Sequence, residues 1–107
     1  MFNISWLGQK LYRYTTRSGS WPKVRKQHIS KYPNCAACGK NVKVEVHHIE
    51  PVHLSPDKEL DPENLITLCD SPCHLVFGHL MNYKSWNPNV IDDCKSYLNK
   101  IKNRPNS

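Results

Sequence analysis

The chemistry in this sequence is concentrated in its cysteines and histidines. Cys35-Ala-Ala-Cys38 and Cys69-Asp-Ser-Pro-Cys73 are two short-range pairs about thirty residues apart. Zinc in structural sites takes four nitrogen or sulfur ligands in a tetrahedron, and two such pairs can meet at one ion. Ala36 and Ala37, with Gly39 behind them, suit a knuckle whose backbone amides turn towards thiolate sulfur. The second pair is spaced one residue wider than the common C-x-x-C. The competing reading is a set of buried thiols or reversible disulfides. An odd total of five cysteines suits a secreted disulfide framework poorly, and the opening MFNISWLGQK does not read as a signal peptide. In a reducing compartment clustered cysteines more often bind metal. A structural Zn2+ on Cys35, Cys38, Cys69 and Cys73 is therefore expected, with Cys94 left to core packing.

Imidazole titrates near neutral pH and serves as metal ligand or general base. His47 and His48 are adjacent, Asn64 comes sixteen residues after His48, His74 directly follows Cys73, and His79 lies five further on. Adjacent residues on a strand point to opposite faces, so His47 and His48 are expected to do different jobs. His28 reads as an ordinary surface or core residue. His53 is open between that reading and a substrate contact. Asp57, Glu59, Asp61 and Glu63 read as a solvated loop.

The segments CAACG, VEVHHIEP, ENLITLC and CHLVFGHL, in this order over roughly residues 35–80, resemble the HNH endonuclease family. The resemblance implies an α+β fold: a small ββα-metal, treble-clef-like finger, stapled by the four-cysteine zinc and holding one divalent ion. Matched residue by residue, His47 stands where family members often carry a metal-binding Asp, and His48 becomes the general base. Asn64 matches the central Asn that orients the base. His74 matches the metal ligand on the helix, and His79 would be a third ligand. Some members place that last histidine four residues on, not five. One more residue turns the side chain by about 100° on an α-helix, and Gly78 is expected to end the helix and bring His79 round. The implied activity is hydrolysis of DNA phosphodiesters, as nicking or cleavage, with Mg2+, Mn2+, Ni2+ or Zn2+ as the ion. Nucleases of this size occur in phages and mobile elements. That implies DNA as partner, a larger phage or DNA-processing assembly, and the cytoplasm, the host's if phage-encoded.

Helices and strands must hold these groups. Ile4, Leu7, Leu11 and Tyr14 predict a helix over residues 2–15. Residues 15–20 form a polar loop, after which Ser20 caps a second helix with Pro22 in its first turn, ended by Pro33. Val42, Val44 and Val46 alternate with polar residues as a strand does, and Leu65, Ile66 and Leu68 suggest a second strand. A short helix is expected from Cys73 to Leu80. Asn87-Pro88 should open a last helix with an apolar face of Ile91, Cys94, Leu98 and Ile101. The expected division is one domain over 1–107: a basic helical region at 1–34, the metal finger at 35–80, and a helix and tail at 81–107.

Length and charge bound the rest. At 107 residues with eight prolines, a large self-sufficient core is not expected, and a metal staple is. No run of eighteen apolar residues suggests a membrane span. The net charge is +6, and residues 1–44 contain no Asp or Glu. A cationic face favours a polyanion. Arg13, Arg17, Lys23, Arg25 and Lys26 are the candidate DNA contacts, against the plainer reading of a solvated surface. The alternative function is a non-catalytic, zinc-stabilised nucleic-acid-binding or assembly module. Such a module needs the zinc and the basic residues but not His48 and Asn64.

Overall fold

The computed structural model describes residues 18–105. The predicted helix at 2–15 and two candidate DNA contacts, Arg13 and Arg17, lie outside the described residues. Among those described, helix α1 (Trp21–Lys31) is followed by strand β1 (Val44–His48) and strand β2 (Leu65–Cys69). A π-helical turn (His74–Gly78) and helix α2 (Val90–Lys102) complete the order. The protein is α+β, with two antiparallel strands flanked by helices. No helix among the described residues is long and apolar enough to cross a membrane.

Proline in its first turn pre-sets the start of α1. Ser20 occupies the N-cap position but makes no side-chain cap bond. The Ser18 hydroxyl instead accepts from the Ser20 amide. The helix stops at Lys31, before the expected boundary at Pro33, because Tyr32, the residue preceding proline, leaves the helical region at φ −129°, ψ 75°.

Strand β1 begins two residues later than the valine alternation predicts. Lys43 takes φ 51°, a left-handed conformation that cannot continue an extended strand, and Val42 is left exposed. The register pairs Glu45 with Leu68 and His47 with Ile66 on one face, and Val46 with Thr67 and His48 with Leu65 on the other. Helix α1 covers the second face: Trp21 packs on His48, and the Thr67 hydroxyl donates to the Tyr32 carbonyl. The π turn lies towards the first face. The strands are joined by residues 49–64, which contain two 3-10 turns, Pro56–Lys58 and Pro62–Asn64.

Helix α2 begins at Val90, later than Asn87-Pro88 suggested. Asn87 is buried, with its amide donating to the Phe77 carbonyl and the Asp93 carboxylate. It thereby ties the helix start to the π turn instead of capping the helix from one residue before it. The inward residues are Val90 and Cys94, while Ile91 is exposed. The apolar stripe is therefore turned by one residue at its start.

The core is small: Cys35, Ala37, Ile66, Leu68, Cys69, Cys73, Val90 and Cys94. Half of these are cysteines, so hydrocarbon packing alone supplies little. A structural ion bound by such residues contributes folding free energy directly.

Candidate active site and metal centres

Two groups of ligand atoms gather, on either side of the Cys73–His74 junction. In the first, one Sγ from each of Cys35, Cys38, Cys69 and Cys73 lies within 4.8 Å of the others. The knuckle is shaped by backbone bonds. The Gly39 amide donates to the Cys35 carbonyl, the Ala36 amide to the Thr67 carbonyl, and the Cys38 amide to Cys35 Sγ at 3.4 Å. Gly39 turns the chain at φ 82°, where a side chain would be strained. Burial pushes the Cys73 and Cys38 thiols up, and the neighbouring sulfurs add to it. Burial acts the same way on Cys35, but the amides of Cys38, Cys69 and Ala37 outweigh it and bring that thiol down to about 7. Four thiolates this close repel one another unless a cation lies between them. The donor set, four sulfurs with the spacing of two short pairs, is positioned for a tetrahedral structural zinc.

The second group is His47, His74 and His79, each offering one nitrogen within 4.8 Å of the others. Their ring centroids are 5.0, 4.9 and 4.9 Å apart. His79 Nδ1 lies 2.8 Å from the Ser85 carbonyl oxygen. A carbonyl can only accept, so Nδ1 carries the proton and Nε2 the lone pair. His74 Nδ1 faces the Glu45 carboxylate at 3.2 Å, which leaves the lone pair of His74 on Nε2 as well. These two nitrogens approach to 3.2 Å, and His47 Nδ1 is 3.1 Å from His74 Nε2. Two lone pairs at that distance repel; a cation between them removes the conflict. The buried Nε2 of His47 has no hydrogen-bond partner among the described residues. Burial, with His74, His79 and His48 nearby, pushes His47 down to about 3. Burial and His79 also lower His74, against Asp70. Neutral imidazole is the form that binds metal.

The five-residue spacing of His74 and His79 is resolved by the type of turn. The expected short helix is π-helical over His74–Gly78. Its i→i+5 closure brings residues five apart to one side, where an α-helix would have separated them. Gly78 is needed here for a different reason from ending a helix. A Cβ at this position would stand 3.0–3.2 Å from three ring atoms of His47.

His48 is held on the other side of β1. Its Nε2 is 2.9 Å from the Glu59 carbonyl oxygen, so Nε2 bears the proton and the lone pair falls on Nδ1. Trp21 packs against the ring at 4.6 Å between centroids. Asn64, buried behind, fixes the loop that carries that carbonyl. Its Oδ1 accepts from the Glu50 amide at 2.8 Å, and its Nδ2 donates to the Glu50 and Lys58 carbonyls at 3.1 Å. Glu50 closes the same loop by accepting from Ser55 and pairing with Lys58 at 2.7 Å.

Lys23, Arg25 and Lys26 are exposed on α1, and Arg25 is near enough to Glu45 to oppose the upward push of burial and Asp70 on its carboxyl. His53 is exposed, whereas His28 is buried against Tyr32. Asp57, Asp61 and Glu63 are exposed, but Glu59 is not simply solvated: its carboxylate accepts from the Ser18 amide. Sequence reasoning did not single out Glu45, Glu50 or Ser85. Glu45 was within reach, because two residues before His47 on a strand means the same face. Nothing local signals Ser85, which acts through its carbonyl.

Residues 35–76 match the family model described as HNH endonuclease. No curated protein and no solved structure matches the chain. The matched segment runs from the first zinc-type cysteine through His74 and stops short of His79. Residues 35–76 are thus similar to the HNH endonuclease family, and the two strands, the π turn and the four-cysteine cluster are consistent with its ββα-metal fold.

Proposed function

We propose that this chain is a metal-dependent DNA endonuclease that hydrolyses phosphodiester bonds. The observation that carries the reading is a converging triad of imidazoles, His47, His74 and His79, next to His48, which follows His47 on β1 and whose tautomer is fixed with its lone pair on Nδ1. A binding module needs neither. His47, His74 and His79 would hold the divalent ion, which when bound supplies Lewis-acid stabilisation of the phosphate and of the departing 3′ oxygen. His48 Nδ1 takes a proton from the attacking water as its oxygen bonds to phosphorus and the P–O3′ bond breaks. The Glu59 carbonyl stabilises the imidazolium that forms, and Asn64 keeps that carbonyl in register. Lys23, Arg25 and Lys26 on α1 would contact backbone phosphates, which position a strand without reading its sequence.

The test is cleavage of supercoiled plasmid by the purified chain with and without Mg2+, Mn2+, Ni2+ or Zn2+, beside His48→Ala. The variant should lose about a hundredfold to ten-thousandfold in rate while still binding DNA. Equal cleavage by His48→Ala would remove His48 as base, and no cleavage by the parent with any ion would favour a non-catalytic module.

A further inference from the structure

Beside the histidine triad the chain makes a short, rigid, unusually apolar rim. Leu80, Met81 and Tyr83 are 51%, 66% and 63% exposed. Leu80 and Met81 stand consecutively at φ 53° and 72°. Bulky residues adopt this conformation rarely and at a cost, and such strain persists where the surroundings over-determine it. They do so here. The Met81 amide donates to the Leu75 carbonyl, Asn82 to His79, and Ser85 to Asn82; the Asn82 side chain accepts from the Lys84 amide. Ser85 in turn holds His79. The rim is thus tied to a triad ligand at both ends. Tyr83 lies with its ring 5.0 Å from that of His79 and 6.1 Å from that of His74, yet most of it remains in solvent.

We infer that Tyr83 is a stacking platform for a nucleobase next to the phosphate bound at the triad, so that the site prefers a locally unpaired strand. This rests on the function proposed above and goes further, to the class of nucleic acid taken. An aromatic ring fixed beside the site of phosphate chemistry suits a base, because every base has a π-face and stacking is tolerant of sequence. In a paired duplex those faces are already covered by neighbouring bases, and exposing one costs unstacking energy. Leu80 and Met81 extend the apolar surface around the ring, and exposed Lys84 adds a cation for the backbone.

The inference is tested in the full chain carrying His48→Ala, in buffer without added divalent ion, so that no effect passes through the triad's metal. The probes are a single-stranded oligodeoxynucleotide containing 2-aminopurine and the same strand paired with its complement. Tyr83→Ala should weaken single-strand binding by about tenfold to a hundredfold and abolish quenching of the 2-aminopurine. Duplex binding should change by less than about threefold, and Tyr83→Phe should behave as the parent. If the parent binds single strands and Tyr83→Ala binds and quenches equally well, the inference falls and the proposed function stands. If the parent binds neither probe, the inference falls, and plasmid cleavage with added ions decides the proposed function separately. A Ni2+ titration of Tyr83→Ala separates the remaining reading: lost metal affinity with intact oligonucleotide binding would make Tyr83 a support for His79, and would overturn the platform.

Discussion

The four-cysteine and three-histidine clusters share a junction, since Cys73 belongs to one and His74 to the other, but they are built to opposite ends. The cysteines are core: Cys35, Cys69 and Cys73 are buried with Ala37, Val90 and Cys94 around them, and the protein supplies all four donors. The histidines sit at a rim, with His47 buried and His74 and His79 half-buried, and the protein supplies three. Four protein ligands make a closed structural site; three leave a position for water or substrate. The supporting contacts differ likewise. The amides of Cys38, Cys69 and Ala37 surround Cys35 and favour its thiolate. A carboxylate and a carbonyl take the outer protons of His74 and His79 and so choose which nitrogen faces inward. The first arrangement suits an ion that holds the chain together, the second an ion with a position open to something else.

The harshest test of that contrast is removal of one sulfur. Cys38→Ser should release zinc and unfold much of the domain, because structural zinc supplies folding free energy. Elemental analysis finding no tightly held zinc in well-folded parent protein, or unchanged melting of the variant, would break the comparison.

Removing one triad ligand should act quite differently. His74→Ala should abolish binding of the added divalent ion in calorimetry, and cleavage with it, while the tightly held zinc remains. Loss of both metals from this variant would show that the two sites are one cooperative unit across the Cys73–His74 junction.

A subtler change sharpens the contrast in support. Glu45→Gln leaves all three imidazoles but replaces the carboxylate facing His74 Nδ1. Such outer partners are typically worth about tenfold to a hundredfold in metal affinity. Zinc content should not change. An undiminished affinity for Ni2+ would mean that Glu45 does not orient His74.

The smallest effect is expected from Gly78→Ala. The added methyl meets the His47 ring at 3.0–3.2 Å, and overpacking of this kind costs about 1–3 kcal/mol. A lowered melting temperature with a modestly weaker triad should result. A variant as stable as the parent would show that the His47 ring has room to move.

The sequence by itself determined the identities and order of the chemical groups. Short-range spacing is local, so the pairs Cys35/Cys38 and Cys69/Cys73 were legible as one zinc-type set, and strand alternation separated His47 from His48. What it could not determine were contacts made through the backbone or across long separations. The α-helical spacing argument left His79 in doubt, and only the π turn brings it to His74. The tautomer of His48 depends on the carbonyl of Glu59, and that of His79 on the carbonyl of Ser85. Every residue has a carbonyl, so none announces itself in the sequence. Asn64 was readable as a candidate, but its grip on Lys58 and Glu50 exists only once residues 49–64 have folded back on themselves. Helix α2 shows the same division: its apolar stripe was visible, but its facing was set by Asn87 bonding to Phe77. Residue type is written along the chain, whereas the direction of a lone pair is set by whichever distant atom accepts the proton opposite it.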